Sequence, residues 1–128
     1  MTDAEFLLAF EERTFPFSLW THETHVRMAW LYLSRHDYLE AIAKIRRGIQ
    51  RYAGANGKAH GYHETLTVAW ARIVLSRLGP RTFEKFKAAN AELFDRASDP
   101  ILRHYRRETI DALEARAAFV EPDLAPLP

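Results

Sequence analysis

The chain contains no cysteine. That excludes a disulfide framework and thiolate chemistry, and it leaves His, Asp and Glu to hold any metal. An excess of one charge sign is also lacking: 18 Lys and Arg stand against 17 Asp and Glu, for a formal net charge of +1. A nucleic-acid binder usually carries a strongly basic field, so this balance argues against DNA or RNA as a partner. No apolar run approaches the ~20 residues needed to cross a bilayer. Met1 to Phe10 carries Asp3 and Glu5 but no Lys or Arg, unlike a secretory signal peptide. The expectation is a cytoplasmic protein with no membrane partner. Glycine is scarce, and three of the five glycines fall between Gly54 and Gly61.

What is present is ordinary globular material. The 128 residues are 48% hydrophobic and 27% charged, enough for one domain over residues 1–128 with a real core. Thr2 and Glu5 have capping-box spacing ahead of Phe6-Leu7-Leu8 and predict a first helix to about Arg13. Pro16 breaks it. A second helix is expected from Thr21 to His36. A third opens at a capping box, Asp37 to Glu40, and carries Leu39, Ile42, Ala43, Ile45, Ile49 and Tyr52 at helical spacing. The glycine-rich stretch is a loop. A fourth helix runs from Tyr62 to Leu78 and stops at Gly79-Pro80; a fifth covers Arg81 to Asn90. Ser98-Asp99-Pro100 starts a last helical stretch, in one or two pieces, to Phe119. Residues 119–128 hold Pro122, Pro126 and Pro128 and read as an extended tail, with Leu124 and Leu127 packing on the body. No strand is predicted. The fold class is all-α, a compact bundle of five to six helices with a Pro-rich C-terminal tail.

Four of the six histidines stand out: His22, His25, His36 and His63. At about 100° per residue from His22, His25 falls near 300°, Ala29 near 340°, Leu33 near 20° and His36 near 320°, one stripe of the second helix. Two imidazoles at i and i+3 can reach one ion. His63, at the start of the fourth helix, is the natural third ligand if the second and fourth helices run parallel. This predicts one divalent metal ion on His22, His25 and His63. Glu64 beside it reads as a general base, a ligand or a carboxylate holding an imidazole, with His63 and Glu64 the candidate catalytic pair. Trp30, Tyr62, Thr67 and Trp70 would line the pocket of a small-molecule ligand. Two other readings stand beside this one. The histidines form a metal-free acid/base site, or they are capping and hydrogen-bonding residues of a non-catalytic module that binds a ligand or a partner.

Other chemistries lack their motifs. His-Glu-Thr-His at 22–25 spaces its histidines by three, whereas the zinc-protease helix needs four. Gly54, Gly57 and Gly61 have no flanking strand and no Gly-Lys-Ser/Thr ending, and there is no nucleophile elbow. Arg27, Arg72 and Arg77 are candidates for an anionic ligand or for stems covering apolar surface. Arg46, Arg47 and Arg51 read as a solvated face.

Trp20-Thr-His22-x-x-His25-Val-Arg27-x-Ala-Trp30, Gly61-Tyr-His63-Glu-Thr-Leu-Thr67-x-Ala-Trp70 and Phe119-Val-Glu-Pro-Asp-Leu124 together resemble a group of small bacterial proteins of uncharacterised function. That resemblance spans most of the chain and implies no particular activity. The general plan also resembles DinB-type metal-binding bundles, in which three histidines on two helices hold a divalent ion. The DinB pair is spaced by four on a later helix; here the pair is spaced by three on an earlier one.

Overall fold

Side-chain caps begin most of the longer helices. The computed structural model describes residues 1–95 and 97–128. In α1, Asp3–Glu11, the capping box forms as predicted: Glu5 N–H donates to Thr2 Oγ1 at 3.1 Å and Thr2 N–H to Glu5 Oε1 at 2.9 Å. Thr21 and Thr24 make the same reciprocal pair at the start of α2, His22–Arg35. Asp37 caps α3, Tyr38–Ala55, by accepting from Glu40 N–H at 2.9 Å. The returning half of that box is not made; the Glu40 carboxylate lies 3.5 Å from His36 Nδ1 instead.

All regular structure among the described residues is helical: seven α-helices and several 3-10 turns, with no strand. The seven are close to the five or six expected, the stretch after Pro100 supplying two short ones. That stretch contains a 3-10 turn at Pro100–Arg103, α6 at Arg107–Asp111 and α7 at Leu113–Ala117. The fourth and fifth helices lie within the predicted stretches, with α4 at Glu64–Ser76 and α5 at Phe83–Ala89. Helices α4 and α5 each start two residues later than expected, behind the caps His63 and Thr82.

The chain divides into two compact units, Met1–Tyr62 and His63–Pro128. In the first, α3 packs on α1 and α2. Its centre is aromatic and aliphatic: Phe6, Phe10, Met28, Leu31, Ile45 and Tyr52 are almost wholly out of water. The inner stripe of α3 is Ala41, Ile42, Ile45 and Tyr52. Leu39 and Ala43, expected on that stripe, are exposed. They lie about 120° and about 160° around the helix from Ile45, outside the arc that faces α1 and α2. The Tyr52 hydroxyl donates to the Phe15 carbonyl at 2.7 Å and ties the turn after α1 to α3.

In the second unit α4 packs on α7 and on the Pro100–Arg103 turn. Val74, Phe86, Leu93, Ile101 and Tyr105 form its centre. The tail, residues 120–128, has no helix and is bonded along its length. Tyr105 Oη donates to Val120 O at 2.6 Å, and Asp123 accepts from Arg106 N–H at 3.0 Å and from Thr109 Oγ1 at 2.6 Å. His104 Nδ1 lies 3.0 Å from Ala125 O, and a carbonyl can only accept, so Nδ1 carries the proton. Leu127 is buried, but Leu124 is 50% exposed, with its N–H donating to His104 O.

Candidate functional site

Trp20, just before α2, packs against one of the first unit's histidines, His25. Its ring stacks on Phe10 at 5.2 Å with 4° between planes, contacts Tyr52 at 4.8 Å, and meets the His25 ring at 5.5 Å. His25 is half-buried and His22 exposed. Loss of water around the imidazole lowers the His25 pKa from 6.5 to about 4, and the charge of His22 adds to the effect. His25 is therefore neutral at neutral pH. Trp30 lies further along α2 as a buried core residue, and Tyr62 is half-buried at the end of the unit.

His63 opens the second unit as the N-cap of α4, a role held more often by Ser, Thr, Asp or Asn. Leu66 N–H donates to its Nδ1 at 3.1 Å, and its Nε2 lies 2.8 Å from the Ile110 carbonyl. An N–H donor on one side and a carbonyl on the other require the neutral ring with the proton on Nε2. Both nitrogens are thus used within their own unit, and the side chain is 8% exposed. Glu64 follows as the acidic residue of the first turn, where a carboxylate suits the positive helix end. The Thr67 hydroxyl donates to the His63 carbonyl at 2.8 Å, and Trp70 is half-buried on the same helix. Thr65, between them, is fully buried; its hydroxyl donates to Ala118 O at 3.0 Å and accepts from Val120 N–H at 3.1 Å.

Among the described residues, no group of three or more His, Asp or Glu side chains is arranged to hold a metal ion. His36 faces Glu40, His104 holds the tail, and His60 is exposed. The three arginines considered for an anion are already used. Arg27 pairs with Asp3 at 2.7 Å and lies 4.5 Å over the Phe6 ring; Arg72 donates to Pro128 O; Arg77 donates to Asn90 Oδ1 and to Glu92.

A different group comes together in the first unit. Glu11 of α1, Tyr32 of α2, and Lys44, Arg47, Gly48 and Arg51 of α3 line a cavity of about 120 Å³. Tyr32 is 4% exposed. Burial, with Glu11 adding and Arg47 opposing, pushes its hydroxyl pKa up to about 12, so it stays a neutral donor. The helical spacing of the cations was the only sequence signal for this group, and a solvated basic face has the same spacing. A larger cavity, about 270 Å³, is walled by Arg72 and residues 121–127 of the tail.

Comparison with models of known families, with curated proteins and with solved structures finds no match for the chain. Among the described residues no helix is long and apolar enough to cross a membrane.

Proposed function

We propose that the protein is a non-catalytic helical module that binds a small-molecule ligand, and that its histidines are structural. The observation that carries this reading is the engagement of both His63 nitrogens. A metal ligand must offer a free lone pair. On His63 that lone pair would have to come from Nδ1, which caps α4, or from Nε2 after loss of its bond to Ile110. His25 supports the same reading from the side of acid/base chemistry. A base with a pKa of about 4 is poorly matched to proton abstraction near neutral pH.

The competing reading is a metal-dependent enzyme with His22, His25 and His63 as ligands and Glu64 as base. Elemental analysis of protein purified without a His-tag separates the two. We expect well under one equivalent of zinc, iron, nickel or manganese per chain. A full equivalent that disappears in both His22→Ala and His63→Ala would overturn the proposal.

A further inference from the structure

On α3, Lys44, Arg47 and Arg51 are spaced by three and four. At about 100° per residue they fall within an arc of about 60°. All three line the same cavity. Among the described residues none of the three has an ion pair or a hydrogen bond, whereas Arg27 of the same unit pairs with Asp3 and His36 lies beside Glu40. Like charges on one stripe of a helix repel, so the fold alone gains nothing from gathering them.

The opposite wall supplies an independent sign of a ligand. Tyr32 is buried as a residue, while its hydroxyl keeps some exposure and opens on the cavity. Among the described residues its hydroxyl has no hydrogen-bond partner, and it lines the cavity beside the cations. Glu11 completes the rim as the last residue of α1, the helix end where a carboxylate is disfavoured. Three cations against this one carboxylate leave an excess of two positive charges. The volume, about 120 Å³, is several times the ~10–15 Å³ that admits one water, and it suits a compact charged group.

We infer that this groove binds a phosphoryl group, the dianionic end of a small phosphorylated molecule, with Lys44, Arg47 and Arg51 holding the oxygens and the Tyr32 hydroxyl donating to one of them. A dianion matches the excess charge; a carboxylate would leave one cation uncompensated. Arginine forks suit phosphate geometry, and charge-assisted bonds of this kind are the strong ones. The inference rests on the reading of the chain as a binding module, whose ligand class it names.

Inorganic phosphate is the probe, titrated into the full chain at pH 7.5 and constant ionic strength, followed by amide shifts and calorimetry. Saturable binding is expected, with the largest shifts at Tyr32 and between Lys44 and Arg51. Acetate should bind at least several-fold more weakly. Tyr32→Phe changes no charge and keeps the buried ring; it should weaken phosphate at least about five-fold. Arg47→Gln with Arg51→Gln, both at exposed positions, should abolish binding while leaving the melting temperature close to that of the parent. Glu11→Gln should tighten it. Absence of saturation, equal binding of acetate, or an affinity unchanged by Tyr32→Phe would each overturn the inference. The metal analysis reads a different set of residues. Bound metal together with phosphate in this groove removes only the non-catalytic reading, and a metal-free protein that ignores phosphate removes only the groove.

Discussion

His25 shows how one side chain's surroundings set a property of the whole protein. Its ring lies against Trp20 and near the charge of His22, and its pKa falls from 6.5 to about 4. The unfolded chain therefore holds more protons than the folded one between these two values. Stability is complete above pH 6.5, falls as the pH drops towards 4, and levels off below. The full shift would remove about 2 kcal/mol at pH 5, and the water that reaches a half-buried residue reduces this to about 1–2 kcal/mol. Urea midpoints at pH 7.5 and 5 should show that loss in the parent and a clearly smaller one in His25→Gln. Equal acid sensitivity in the two proteins would mean that the ring is not desolvated. His63 teaches the complementary lesson. Its place at a helix start was legible, and capping was among the readings of it. Its second bond, to a carbonyl 47 positions along the chain, was not.

At the scale of the element, α1 and α3 meet at a glycine. A Cβ on Gly48 would lie 2.5 Å from Phe10 Cε2 and 2.8 Å from Cζ. Phe10 cannot easily retreat: its ring is 1% exposed, stacked on Trp20 and 5.5 Å from Tyr52. Alanine in a helix interior is worth about 1 kcal/mol over glycine. Overpacking a close-packed core costs about 1–3 kcal/mol. The second effect wins here, because the obstructing atoms belong to an immobilised ring. Gly48→Ala should lower stability by up to about 2 kcal/mol, seen as a lower melting temperature. A rise would show that α1 moves freely over α3. The same crossing explains why Leu39 and Ala43 were misplaced on the inner face: period alone names a stripe, and the direction of the neighbouring helices decides how wide that stripe is.

Across the whole molecule, helices too short to stand alone depend on a tail without helix. Segments of five residues such as α6 and α7 are far below the ~12–15 at which isolated helices become marginal in water. Their support in the second unit includes the bonds of Asp123 to Arg106 and Thr109, of Ala125 to His104, and the burial of Leu127. Ending the chain at Val120 removes all of these. It should cost about 2–4 kcal/mol, from one buried leucine and several hydrogen bonds. Urea unfolding reads the loss, and amide exchange should quicken in α4 and around Tyr105. Unchanged exchange there would show that the tail is passive. The loop expected at Gly54–Gly61 is partly helical, with α3 running on to Ala55 and a 3-10 turn at Ala59–Gly61. The sequence by itself determined the helical class, the starts of α1, α2 and α3 and the stop before Gly79-Pro80. These follow from forces that act within a few residues: capping bonds, the fixed φ of proline and helical period. Only the tertiary structure decided that Leu127 packs and Leu124 does not, that His63 bonds Ile110, and that Tyr32 and Glu11 stand beside the cations of α3. Each of those facts joins segments distant in sequence, and it is packing, not local preference, that selects which distant groups meet.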